Sequence, residues 1–325
     1  MAELKNTPLR EFHQEMGAKM VPRSGWNLPL NFSEGAQDEH LYCREKAALF
    51  DFCADGRFRI AFEGAGKALE KYFFANEGAF APGKCCRTFL VDSEGNALAP
   101  CRAGMMAEDD FFLTVPFGSV DRAVALFAKE KLEYTDLSEY LCTIAVAGPR
   151  TLEVLEKCQV SADMLPAPGE IKLLEIDGLR AIVSYFDDFG EEGFEISFNA
   201  DCADQIWDLF LETDIPWPAG LAAQESLRIE EGVISTPELL IPKKGCELGS
   251  RIGTLLFEGR RLPFAGVKLF DSEEHEKGVV TSSAFSPTLE SAAALVYFPD
   301  GVPAPGTELH CDASGITITG TVSQS

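Results

Sequence analysis

One cysteine stands in a setting that could do chemistry. Cys246 follows Lys244 and Gly245, and Gly249 comes three residues later. A neighbouring lysine favours the thiolate form of a cysteine, and glycines let the backbone approach a ligand closely. Glu247 works in the opposite direction because it disfavours a second negative charge. The segment is therefore either a site with a functional thiol or a tight turn with an inert one.

The other nine cysteines and the four histidines show no spacing typical of a metal site. No two cysteines form a C-x-x-C pair, and the adjacent Cys85 and Cys86 would point to opposite faces of a strand. We therefore expect the cysteines to be buried, reduced thiols. The histidines are too scattered to act together as zinc ligands. The sequence thus predicts no metal site.

Length and charge exclude several classes of protein. A chain of 325 residues predicts two or three domains or subdomains. The net charge of −24 makes strong nucleic-acid binding unexpected, because an acidic surface repels phosphate. No apolar run is long enough to span a membrane, and the polar first residues lack an apolar signal core. We expect a protein of the cytoplasm.

The elements that must position any site change character along the chain. In residues 1–232, short strands such as 57–62, 111–115 and 141–146 alternate with helices, a pattern that predicts an α+β core. Residues 233–277, rich in proline and glycine, form a connector that carries the Cys246 motif. Residues 278–325 hold closely spaced strands without helices, which predicts a β-barrel.

Several motifs resemble those of the glycine-cleavage T-protein (aminomethyltransferase) family. They follow one another in the family's order over almost the whole chain: Thr7-Pro8-Leu9, Gly25-Trp26-Asn27-Leu28-Pro29, Ala48-Leu49-Phe50-Asp51, Gly148-Pro149-Arg150, Gly190 to Glu195, Gly220 to Gly232, and Ser286-Pro287. On these motifs the chain is identified as a member of the superfamily. The resemblance implies an α+β fold with three domains in a cloverleaf around a central hole for tetrahydrofolate, the last domain being a β-barrel.

The resemblance also implies which residues would hold the folate. Glu195 would accept hydrogen bonds from the pterin, since a carboxylate can take two from an aminopyrimidinone edge. The other residues carried over to the hole are Asn76, Leu90, Val115, Arg87, Gln224 and Arg228. Ordinary structural roles remain open. Glu195 could cap a turn or pair with Arg228, the apolar residues could be core, and Asn76 could belong to a turn.

The acid that the family's chemistry needs is missing from its usual place. The acidic positions after the hairpin at 92–98 are matched by Ala99 and Pro100, neither of which carries a proton. Asp188 stands where the family has a tyrosine, and Asp187 precedes it. If the protein is a working transferase, these two aspartates are the nearest substitutes in the sequence.

The Cys246 motif resembles a different branch of the superfamily. The YgfZ-type folate-binding proteins, which assist iron–sulfur enzymes, carry K-G-C-[YF]-x-G-Q-[ED], and here only Lys244, Gly245, Cys246 and Gly249 match. The favoured prediction is a tetrahydrofolate-binding accessory protein that serves one-carbon metabolism or an iron–sulfur enzyme. The alternative is a tetrahydrofolate-dependent aminomethyl- or methyltransferase working with a lipoyl carrier protein, with Cys246 or Asp188 as catalytic candidates. A binding module without folate is the third possibility.

Overall fold

The computed structural model describes residues 3–74, 80–235 and 251–323. Two predicted site residues, Asn76 and Cys246, lie outside the described residues. The chain divides into two compact units. Unit 1 comprises residues 1–93, 98–187 and 191–224, and unit 2 comprises residues 94–97, 188–190 and 225–325.

The described residues form helices that are short and amphipathic. In chain order they are α1 Arg10–Glu15, α2 Ala36–Glu45, α3 Ala65–Leu69, α4 Val120–Glu130, α5 Thr151–Lys157, α6 Ala203–Leu211 and α7 Leu221–Glu230. Helix α4 illustrates the pattern, since its buried residues Ala123, Leu126 and Phe127 recur at the spacing of one helix face. In the part of the chain that the structure describes, no helix is both long and apolar enough to cross a membrane.

Within the described ranges, strands outnumber helices and build three sheets and a barrel. In unit 1 they are β1 Lys5–Asn6, β2 Lys19–Arg23, β3 Trp26–Asn31, β4 Ala48–Asp51, β5 Gly56–Ala61, β6 Cys85–Val91, β7 Ala97–Ala107, β8 Asp110–Val115, β9 Thr135–Asp136, β10 Leu141–Ala147, β11 Ile171–Ile176, β12 Leu179–Phe186, β13 Gly193–Asn199 and β14 Trp217–Ala219, β7 beginning in unit 2. In unit 2 they are β15 Ile252–Phe257, β16 Lys268–Phe270, β17 Glu276–Ser286, β18 Ser291–Tyr297, β19 Glu308–Asp312 and β20 Thr317–Val322. The mixture confirms the predicted α+β class.

Unit 1 is organised around two larger sheets. The five-stranded sheet has the order β6-β7-β8-β5-β9, and the six-stranded sheet has the order β11-β12-β13-β10-β4-β14. A small third sheet has the order β1-β3-β2. On one face of the five-stranded sheet, Phe58 and Leu113 pack in a core with α3 and α4. On one face of the six-stranded sheet, Phe194 and Ile196 pack with Trp207 of α6.

The remaining faces of these two sheets turn towards each other. A separate cluster joins them, in which Cys85 and Phe112 of the five-stranded sheet pack with Ile171 of the six-stranded sheet. Gly104 of β7 allows this approach, because a Cβ at that position would lie 2.7 Å from Cδ1 of Ile171. The two sheets thus enclose the region in which polar side chains of both can meet.

Two cysteines correct the prediction that all thiols are reduced. Cys53, just after β4, forms a disulfide with Cys142 of β10. Strands β4 and β10 are antiparallel neighbours, and the two Cα atoms are 4.7 Å apart, within the range that a disulfide spans. The pairing of strands distant in sequence, which spacing did not reveal, brings the two thiols together.

The barrel of unit 2 begins earlier than the boundary at 278 that the sequence suggested. It closes in the order β15-β18-β17-β16-β19-β20, so that strands from residues 252–257 and 268–270 belong to it. In β15 alternate residues are buried, among them Leu255 and Phe257, which join the barrel core. The glycines and prolines around these strands concealed the alternation, and residues 233–277 are therefore only partly a connector.

Candidate functional site

Two arginines lie in one row across the five-stranded sheet. Arg102 of β7 is in register with Thr114 of β8, which is in register with Arg57 of β5. Residues in register project to the same face of a sheet, and their neighbours Phe58 and Leu113 fill the core on the opposite face. The row therefore points towards the six-stranded sheet.

A buried carboxylate lies on the facing strands. Glu195 of β13 is in register with Ser184 of β12 and with Ala145 of β10. Phe194 and Ile196, its neighbours in the strand, lie in the core behind the sheet. Strand alternation therefore turns Glu195 towards the five-stranded sheet.

Arg102 and Glu195 form an ion pair between the two sheets. The Nε atom of Arg102 is 3.5 Å from Oε2 of Glu195, and the two side chains are 9% and 10% exposed. Arg102 also donates a hydrogen bond of 3.1 Å to the carbonyl of Tyr185. Its guanidinium lies 5.4 Å from the ring centroid of Phe186, a cation–π contact. Arg102 is thus fixed by three different contacts, and the sequence motifs gave no sign of its role.

The second arginine of the row is held by main-chain oxygens. Arg57 is almost completely buried. Its guanidinium donates to the carbonyls of Phe52, Cys53 and Ser138 at 3.1, 2.8 and 2.7 Å. Burial lowers the pKa of Arg57, while nearby carboxylates, Asp55 first among them, raise it. Because an arginine stays charged in a protein, Arg57 adds a fixed positive charge to this region.

Asp55 is an acid that titrates near neutrality. It lies in the turn between β4 and β5, is partly buried, and accepts a hydrogen bond of 2.9 Å from the N–H of Phe117. Burial raises the pKa of Asp55 to about 7, while the Phe117 hydrogen bond and Arg57 lower it. The charges of Glu195 and Asp51 raise it further. Sequence reasoning missed Asp55, because an aspartate before a glycine is typical of any turn.

Ala99 and Pro100, which stand where the family has its acidic residues, are buried within the fold. Ala99 is fully buried in the core of the five-stranded sheet, and Pro100 beside it is buried too. Leu90 and Val115 lie in the same core with no exposed surface. Leu90 and Val115 are therefore core residues of the five-stranded sheet.

The remaining predicted residues lie in other settings. Arg87 is 40% exposed, with Nη2 at 3.9 Å from Oδ1 of Asp187, and Asp188 is partly buried in unit 2. In α7, Arg228 is 7% exposed, pairs with Glu225 and donates 2.6 Å to the carbonyl of Val233, while Gln224 is partly buried. That these residues share a folate site with Glu195 stays a prediction.

Comparison with known proteins agrees with this arrangement of sheets and barrel. Residues 9–238 match the family model of the GCVT N-terminal domain, and residues 251–325 match the glycine cleavage T-protein C-terminal barrel domain. The chain belongs to the glycine-cleavage T-protein family. The predicted T-protein fold is confirmed by a crystal structure of the glycine cleavage system aminomethyltransferase T from Bartonella henselae, which is 26% identical, with a TM-score of 0.85 over 99% of this chain and 97% of that one.

Curated members of the T-protein family resemble this chain along nearly its whole length. An aminomethyltransferase of Saccharopolyspora erythraea is 27% identical and covers 98% of this chain and 96% of its own. The mitochondrial aminomethyltransferase of Dictyostelium discoideum is 28% identical and covers 99% and 92%. These names favour the transferase alternative over the accessory role that the Cys246 motif suggested.

The groups around Glu195 could bind a pterin, but the cavity beside them is too small to hold one. Its carboxylate lies among the hydroxyls of Thr114, Ser184 and Ser197, a set of groups that can bind an amino-substituted heterocycle. The cavity there is about 10 Å³, which is room for one water molecule. A groove of about 670 Å³ adjoins it, and both are lined by Phe112, Ile171 and Ile182. With Arg102 in place, a pterin ring does not fit beside Glu195.

Proposed function

We propose that this protein is a tetrahydrofolate-dependent one-carbon transferase of the T-protein family, acting on an aminomethyl or methyl group. The observation that carries the proposal is the buried Glu195 carboxylate, which stands where the family resemblance requires a pterin contact, in a chain related to aminomethyltransferases over nearly its full length. Glu195 would accept the hydrogen bonds of the pterin edge. Bound folate would supply the nitrogen that takes up the one-carbon group.

Transfer of this kind needs a group that can give and take a proton near neutral pH. Ala99 and Pro100 cannot do this. Asp55 can, because burial raises its pKa to about 7 and leaves it about half protonated at that pH. Its position supports the assignment, because Asp55 lies two residues before Arg57, whose row on the five-stranded sheet also contains Arg102, the ion-pair partner of Glu195. We therefore assign Asp55, in preference to Asp187 or Asp188, as the proton carrier.

The accessory role at an iron–sulfur enzyme rests on Cys246 alone. That residue lies outside the described part of the chain, and the relatives described above are named aminomethyltransferases. The role stays a prediction. Loss of iron–sulfur enzyme activity in a strain carrying Cys246→Ala would support it, and a normal strain would end it.

The transferase proposal is tested first by binding and then by transfer. Calorimetry should detect tetrahydrofolate binding to the purified chain. Transfer from an aminomethylated lipoyl carrier should then fall about 100-fold in Asp55→Asn, the scale typical of a lost acid–base group. Asp188→Asn is the matched comparison and should keep its activity. Absence of folate binding would refute the proposal, whereas equal losses in both variants would refute only the assignment of Asp55.

A further inference from the structure

The guanidinium of Arg102 and the edge of a pterin present the same arrangement of hydrogen-bond donors. Each presents parallel N–H donors in one plane, which is the fork that a carboxylate binds. We propose that Arg102 takes the place against Glu195 that a pterin edge would take, and so competes with folate for this carboxylate. The inference rests on the proposed function and concerns which ligands this pocket admits.

The contacts of Arg102 explain why its side chain fills the site and does not merely border it. The Nε atom lies 3.5 Å from Glu195, and the same guanidinium donates to the Tyr185 carbonyl and lies over the ring of Phe186. The carbonyl and the ring together fix the plane of the guanidinium. What remains beside Glu195 is the cavity of about 10 Å³. A planar heterocycle can enter only when the guanidinium leaves.

The surroundings suit a bound heterocycle once Arg102 has moved. Thr114, Ser184 and Ser197 line the cavity and offer hydroxyls that can donate or accept. Arg57 cannot take over the role of Arg102, because its guanidinium is already bonded to three carbonyls. Arg57 therefore stays in place as a fixed cation when the Arg102 guanidinium leaves Glu195.

This competition has a measurable consequence for affinity. A ligand that binds only the open state has its affinity reduced by the fraction of molecules in that state. Arg102→Met keeps an unbranched apolar chain against Phe186 but removes the fork. If the ion pair closes the pocket in at least nine of ten molecules, the variant should bind tetrahydrofolate at least about tenfold more tightly than the wild type. Arg102→Lys keeps the charge without the planar fork, and its affinity for tetrahydrofolate should lie between those of the wild type and Arg102→Met.

Calorimetry with tetrahydrofolate, on the full chain and under anaerobic conditions, tests the inference. The matched control is Arg150→Met, which removes a surface ion pair with Glu153 outside the cavity and should leave affinity unchanged. Thermal unfolding of each protein shows that it is folded, and Arg102→Gln replaces Arg102→Met if the latter is not. Tighter binding in the Arg102 variants alone supports the inference. Wild-type affinity, or weaker binding, in those variants overturns it and leaves the proposed function intact. Absence of binding in every protein overturns both.

Discussion

Asp55 makes the stability of the protein depend on pH, and one substitution can isolate its contribution. Burial raises the pKa of Asp55 from its ordinary 3.8 to about 7. The folded state therefore holds a proton on Asp55 that the unfolded chain has lost. Stability from this group is complete below pH 3.8 and disappears as the pH rises towards 7.

The size of the effect follows from that shift. The shift corresponds to about 4 kcal/mol over the whole range, an upper value because Asp55 is only partly buried. Between pH 5 and pH 8 the same linkage removes about 2.5 kcal/mol. Asp55→Asn cannot titrate, and its amide oxygen can still accept from the Phe117 N–H. The variant should lose this part of the pH dependence and become more stable than the wild type at pH 8.

Urea unfolding at pH 5 and pH 8 measures the difference. Asp204→Asn, at an exposed position on α6, is the matched control and should follow the wild type at both pH values. If wild type and Asp55→Asn change in parallel between these pH values, Asp55 does not bind its proton in the folded state. Asp55 would then not be the proton carrier either.

Three further predictions concern interactions within unit 1. Arg102→Met and Glu195→Gln should each destabilise the fold by about 2–4 kcal/mol, because a buried charge that has lost its ion-pair partner is costly. The double variant should recover much of that loss. Additive losses in the free energy of urea unfolding would contradict a coupled pair. Glu39→Ala should cost about 3 kcal/mol in the same assay, since the buried carboxylate accepts the N–H groups of Phe32 and Gly220; a loss below about 1 kcal/mol would contradict that role. Thiol titration of the unfolded, unreduced protein should find Cys53 and Cys142 unreactive until a reductant is added; ten reactive thiols before reduction would contradict the disulfide.

Local patterns in the sequence predicted many of the strands and helices, because alternation and turn residues determine the backbone conformation of a few neighbouring residues. The segment 57–62 alternates as a strand does, and the structure has β5 at Gly56–Ala61. Ordered motifs also identified the family. The predicted start of the barrel was too late, since three glycines and one proline in 251–277 interrupt the pattern while β15 and β16 still pair with distant strands.

For the candidate site too, the sequence determined some features and the tertiary structure determined others. By residue type alone, the sequence determined that Ala99 and Pro100 carry no proton and that Glu195 is a carboxylate in a strand. Only the tertiary structure decided that Arg102 reaches Glu195 from the facing sheet and that burial brings the pKa of Asp55 to about 7. Such facts depend on register between strands, on packing and on loss of water from around a charge. No local pattern contains them, because each arises between residues that are distant in the chain.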